Sequence, residues 1–163
     1  MRLRTLVFVL ALFPVCALAD DADNQGMFYL AGGGGSHGPS LTIGAGTRVD
    51  ALELNAIDLG TTAYGGTAKF VGLSLVQNTT PKYGFNALVR LGMGRETTTF
   101  PGGLAAHQMW FANGIYFGLG AQYRIGDHFA LRAEVNRIRY AASPDGLDDR
   151  LRYPVTLSAM VIF

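Results

Sequence analysis

Four charged residues stand out for the company they keep: Glu53, Arg90, Arg132 and Glu134. Each sits among small or polar residues on one face of a period-two segment whose other face is aliphatic. Arg48 and Arg124 share that polar face but lie near segment ends. Acids and arginines gathered on one face have two uses. They pair, because a buried unpaired charge is costly, or they line a hydrated path for ions. Setting aside Arg48 and Arg124, which reach water or lipid phosphates, leaves two cations balancing two anions. The pattern predicts a salt-bridge network that fills an enclosed space. The alternative is a gate whose rearrangement admits water or small ions.

Other chemistry is sparse. The single cysteine, Cys16, excludes a disulfide framework within the chain and a Cys-based zinc site. Gly33-Gly34-Gly35-Ser36-His37-Gly38 matches G-x-G-x-x-G, but no helix follows it, so it reads as a strand end and loop. With 13 Lys+Arg against 12 Asp+Glu there is no basic field for nucleic acid. No cofactor and no metal site is expected. Charged residues are only 15% of the chain while 49% is hydrophobic, unlike a soluble enzyme, where charged residues make up about 25%.

The elements that hold these charges follow from the pattern. Residues 1–19 read as a secretory signal: Arg2 and Arg4, an apolar run, then Ala17-Leu18-Ala19 as the cleavage site. Residues 20–163 would form one domain, freed of Cys16. No later apolar run reaches the ~20 residues of a spanning helix. Strand alternation recurs instead. Leu52 and Leu54 oppose Glu53 and Asn55; Val89, Leu91 and Met93 oppose Arg90, Gly92 and Gly94; Leu131, Ala133 and Val135 oppose Arg132, Glu134 and Asn136. Similar segments lie at 27–33, 41–48, 69–75, 117–124 and 155–163, which makes eight. Short connections at 49–50, 78–82 and 126–128 alternate with longer ones at 34–40, 58–67, 95–113 and 141–150.

Three observations turn the aliphatic face toward lipid. Glycine crowds the polar face at Gly44, Gly46, Gly72, Gly92, Gly94, Gly118 and Gly120, as a cramped barrel interior requires and a wet strand surface does not. Aromatics gather at two depths: Phe28, Tyr83, Phe85, Tyr123, Phe129 and Phe163 near the short turns, and Tyr64, Phe70, Trp110, Phe111, Phe117, Tyr140 and Tyr153 near the longer loops. Two such girdles flank the aliphatic band of a membrane barrel. The export signal is the third. Eight strands of ~9–11 residues use about 80 residues; sixteen would need about 160 and do not fit. The expected fold is an all-β, eight-stranded antiparallel transmembrane up-and-down barrel.

Gly118-Leu119-Gly120-Ala121-Gln122-Tyr123-Arg124, the turn Gly126-Asp127-His128 and Leu131-Arg132-Ala133-Glu134 together resemble the penultimate hairpin of OmpA-like and OmpX-like small outer-membrane barrels. Leu52-Glu53-Leu54 with Asp58-Leu59-Gly60, and Leu91-Gly92-Met93-Gly94, resemble that family's third and fifth strands. Phe163 with outward Val161, Ala159 and Leu157 resembles the terminal strand read by the barrel-assembly machinery. The resemblance implies the outer membrane of a Gram-negative bacterium, a charged lumen cluster and a monomer. The implied partners are outer-membrane lipids, lipopolysaccharide, the assembly machinery and an extracellular or host ligand that these residues do not specify. Lipid A deacylases of similar length carry a His-x-Ser pair. None of His37, His107 and His128 is followed by Ser two positions on, so an enzyme is disfavoured. The expected role is structural or surface-interacting, through the outward loops, with Trp110 and Phe111 as a candidate contact. A gated minor channel is the alternative, and a lipid A-modifying enzyme a weaker one.

Overall fold

The computed structural model describes residues 26–62, 65–79, 81–100, 109–141 and 151–163. The signal segment with Ala17, Ala19 and Cys16, as well as Tyr64 and His107, lies outside them. Among the described residues nine strands run in order: β1 (Met27–Gly35), β2 (Pro39–Gly46), β3 (Asp50–Thr61), β4 (Thr67–Asn78), β5 (Phe85–Thr99), β6 (Met109–Ile125), β7 (Phe129–Tyr140), β8 (Leu151–Arg152) and β9 (Val155–Ile162). Neighbours pair antiparallel from β1 to β7, and β7 pairs with both β8 and β9. β9 then pairs with β1, Leu30 opposite Val161, and the sheet closes. β8 and β9 are one stave of the barrel, interrupted at Tyr153-Pro154, where proline has no N–H to give the ladder. Asn136 N still donates to the Pro154 carbonyl at 2.9 Å. The barrel therefore has eight staves.

Local chemistry sets the turns at the end we call lower. Thr47 Oγ1 accepts from Val49 N at 3.2 Å and Asp50 N at 3.0 Å, closing the tight β2–β3 turn that holds Arg48. The β4–β5 connection ends in a two-residue reversal: Lys82 and Phe85 exchange backbone bonds around Tyr83 and Gly84, whose φ angles are 55° and 82°. Positive φ at both positions gives the twist that hairpins favour. At the upper end β3 bulges between Asp58 and Gly60, with Asp58 Oδ1 accepting from Gly60 N at 2.8 Å.

Alternation sorts the faces throughout. Leu52, Leu54, Val71, Leu73, Leu119, Leu131 and Val135 point out and are exposed, whereas Glu53, Asn55, Ser74, Arg90 and Arg132 point in and are buried. Apolar surface on this scale, unbroken around a ring, is what a barrel turns toward lipid. The interior is layered. Tyr29, Ala31, Ala51, Ala130, Met160 and Ile162 pack near the lower end. Ile57, Leu59, Ala68, Phe70, Ala112, Tyr116, Ile138 and Tyr140 pack near the upper end. Glu53, Arg90, Arg132 and Glu134 lie between them.

Two sequence expectations need correction. Phe70 and Tyr140, placed in the upper girdle by depth, face inward and are buried. The residues opposite explain it: Cβ atoms at Gly72 and Gly94 would strike the Phe70 ring, and one at Gly114 would strike Tyr140. Interior glycines here make room for rings. The segment 95–113, expected as a loop, carries strand at both ends, since β5 runs to Thr99 and β6 begins at Met109. The run Arg95-Glu96-Thr97-Thr98-Thr99 is polar on both faces because this hairpin extends past the apolar band.

Candidate functional site

Glu53 on β3, Arg90 on β5 and Arg132 and Glu134 on β7 meet in the middle of the lumen. Arg90 spans both acids: its Nη1 donates to Glu134 Oε2 at 2.8 Å, and its Nη2 to Glu53 Oε2. Arg132 Nη1 donates to Glu53 Oε1 at 2.5 Å and lies 3.6 Å from Glu134 Oε1. The four make a closed ring of alternating sign, each member at least nine-tenths buried. Such a ring persists in a low-dielectric interior only when its remaining donors and acceptors find partners. Most do. Tyr29 OH donates to Glu53 Oε1, and the Tyr29 ring lies 5.5 Å from the Arg132 guanidinium. Gln122 Oε1 accepts from Arg132 Nε at 3.2 Å and Nη2 at 2.9 Å.

A neutral layer continues upward. Asn55 Nδ2 donates to Tyr116 OH at 2.8 Å and Ser74 Oγ at 3.0 Å, while Asn55 Oδ1 accepts from Thr42 Oγ1 at 2.8 Å. Above the upper apolar layer stands a second charged pair, Glu96 with Arg152 Nε at 3.8 Å, and Thr98 Oγ1 donates to Glu96 at 3.0 Å. Apolar layers above and below separate the central ring from both mouths of the barrel.

The two rim arginines do not join the ring. Arg48 stays half-buried in the β2–β3 turn, and Arg124 reaches Met27 Sδ at 3.5 Å near the lower mouth. Trp110 and Phe111 are exposed on β6, and the Arg95 guanidinium lies 5.6 Å from the Phe111 ring centre. Phe163 closes the lower edge: its N donates to the Phe28 carbonyl at 2.8 Å and the two rings lie 6.2 Å apart. Val161 and Ala159 face outward above it.

Tyr29, Tyr116, Gln122 and Glu96 were missed by sequence reasoning. Tyr29 lies in a strand apolar on both faces, and its one signal was Gly44 on the neighbouring strand: a Cβ there would strike the tyrosine ring. Glu96 was hidden in the presumed loop.

Nothing in the ring offers a nucleophile with a base. His128 Nδ1 lies 3.2 Å from the Ile162 carbonyl in the lower turn, and His37 is exposed at the upper rim. Among the described residues no three His, Cys, Asp or Glu side chains gather as a metal site. The arrangement can brace the barrel and fill the lumen.

No protein-family model matches the sequence, and no curated protein is significantly similar to it. Solved structures are similar in fold. The N-terminal β-barrel domain of Pseudomonas aeruginosa OprF superposes with a TM-score of 0.63 at 17% identity, over 86% of this chain and 98% of that one. Neisserial surface protein A gives a TM-score of 0.59 at 14% identity, covering 84% and 92%. Ail, the attachment invasion locus protein of Yersinia pestis, gives 0.54 at 12%, covering 85% and 95%. With its closed eight-stave sheet, apolar exterior and polar lumen, this chain has the fold of the small OmpA-like and OmpX-like outer-membrane barrels.

Proposed function

We propose that this chain is an integral protein of a Gram-negative outer membrane whose barrel is closed, with a structural or surface-contact role carried at its outer end. The observation that carries the reading is the ring of Glu53, Arg90, Glu134 and Arg132, which crosses the lumen between two apolar layers. An eight-stranded barrel has an interior that side chains just fill, and here they fill it with paired charge. Work done by such a scaffold falls to the loops and the exposed upper rim, where Trp110 and Phe111 are exposed. Ail, a fold neighbour, is named the attachment invasion locus protein, in keeping with a surface role for a barrel of this shape. Lipopolysaccharide and the assembly machinery are the partners this reading brings with it.

A gated channel is the second reading, and one detail favours it. Glu134 Oε1 is buried yet accepts no hydrogen bond, so Glu134 is held more loosely than Glu53. Planar-bilayer recording on the refolded barrel separates the two. The closed reading expects no steady conductance from the native protein. A native barrel that conducts steadily would overturn it, and brief openings that lengthen in Glu134→Ala would favour the gate.

A further inference from the structure

Outside the lumen, the upper half of the barrel carries an open concavity of about 810 Å³ across β3 to β7. Its lower wall is aliphatic: Leu54, Val71, Leu73, Met93 and Ile115. Its upper wall is Arg95, Asn113 and Arg139. The strand register explains the grouping. Arg95 pairs with Asn113 on the next strand, and Arg139 pairs with Ile115, two residues further along β6. Three polar side chains on three adjacent strands thus cap an apolar groove.

The depth of that cap follows from strand geometry. Arg95 is ten residues above Phe85 on β5, and Arg139 ten above Phe129 on β7; both phenylalanines are exposed near the lower turns. Ten residues tilted by ~40° rise about 25 Å, the height of the apolar band of such barrels. The arginines therefore stand at the outer edge of the hydrocarbon, where the outer leaflet places its headgroups. Among the described residues no carboxylate lies within ion-pair distance of Arg95, Arg137 or Arg139. Arg95 is already oriented, its Nε donating to Asn113 Oδ1 at 3.0 Å and its guanidinium over Phe111, and neither Nη group has a hydrogen bond among the described residues. A guanidinium fork held as Arg95 is, with no acid of the described residues beside it, matches a phosphate, which arginine binds through paired charge-assisted bonds.

We propose that this groove is a binding site for a phosphorylated, multiply acylated glycolipid of the outer leaflet, with a phosphate on Arg95 and Arg139 and an acyl chain along Leu73, Met93 and Ile115. The proposal rests on the outer-membrane reading above. A phosphate-bearing lipid satisfies both walls at once; a neutral lipid would leave two cations at the hydrocarbon edge without a counterion.

The test is native mass spectrometry of the folded barrel with bisphosphorylated lipid A, its dephosphorylated counterpart, phosphatidylglycerol and inorganic phosphate. The heat-dependent gel shift of a folded barrel and its insertion into vesicles are read first. Failure of the native chain to insert would remove the outer-membrane reading, and the site with it. With insertion intact, bisphosphorylated lipid A should be retained in preference to the other three. Arg95→Gln with Arg139→Gln should weaken retention by roughly tenfold or more, and Arg95→Lys with Arg139→Lys should recover only part of it, restoring the charge without the paired bonds. Lys82→Gln, in a lower turn, should change nothing. If the double glutamine variant does not fold, Arg139→Gln alone serves and should weaken retention several-fold. Equal retention of dephosphorylated lipid or phosphatidylglycerol, displacement of lipid A by inorganic phosphate, or folded glutamine variants that bind as the native protein does would each overturn the site while leaving the membrane reading standing.

Discussion

Arg132 Nη1 lies 2.5 Å from Glu53 Oε1, although 79 positions separate the two in the chain. The same carboxylate holds Arg90 and receives the Tyr29 hydroxyl. Glu134, by contrast, keeps one oxygen without a hydrogen bond. The two acids of the ring are therefore unequal, and the inequality can be measured.

Glu53→Ala leaves two buried guanidinium groups to share Glu134 alone, 2.8 Å from Arg90 and 3.6 Å from Arg132, and breaking a buried pair in this way costs about 3–5 kcal/mol. Glu134→Ala leaves both arginines their contact with Glu53 and should cost clearly less. Urea unfolding of the barrel refolded in lipid vesicles checks the order. Equal losses from the two variants would show that the ring is hydrated and that burial does not set its energy.

Removing cation and anion together should soften the loss. Arg90→Met with Glu134→Ala should destabilise less than the sum of the single changes, with a coupling of about 1–3 kcal/mol in a double-mutant cycle. Strict additivity would mean that the 2.8 Å contact between them contributes nothing to stability.

Much of this was legible before the structure. Period two at Leu52-Glu53-Leu54-Asn55 and at Leu131-Arg132-Ala133-Glu134 tells which residues share the interior, because a strand has only two faces. It does not tell which meet. Glu53 is opposite Ser74 on its neighbouring strand, and Arg90 opposite Gly118. Their meeting depends on barrel closure and stagger, which alternation does not encode. Tyr29 and Tyr116 escaped notice because the residues next to each are apolar on both faces. Phe70 and Tyr140 were given the right depth and the wrong face for a related reason: near the mouth the interior is itself apolar, so hydrophobicity no longer distinguishes inside from outside.

At mid-membrane that distinction is sharp, and Leu73 with Ser74 tests it. Leu73 is 48% exposed on the outer face, whereas Ser74 is buried and accepts from Asn55 at 3.0 Å. Leu73→Arg puts a guanidinium into hydrocarbon at about 2–4 kcal/mol. Ser74→Ala removes one neutral hydrogen bond while Asn55 keeps Tyr116, a loss of about 1 kcal/mol. Vesicle refolding and urea midpoints should rank them in that order, and the reverse ranking would invert the barrel's inside and outside.

The position of Tyr29 depends on what Gly44 lacks. A Cβ at residue 44 would overlap the ring and hydroxyl of Tyr29, and the ring is confined by the lower apolar layer around Ala51 and Met160. Gly44→Ala must therefore push the hydroxyl away from Glu53, combining overpacking with a lost hydrogen bond to a charged acceptor. Overpacking alone costs about 1–3 kcal/mol. The diagnostic is the background: in a Tyr29→Ala chain the clash has no partner, and Gly44→Ala should then cost only a few tenths of a kcal/mol or stabilise slightly by stiffening the strand. Urea unfolding of the four chains (native, each single variant and the double) measures the difference. A Gly44→Ala penalty that is the same with and without the tyrosine ring would assign the loss to the β2 backbone and separate Gly44 from the lumen network.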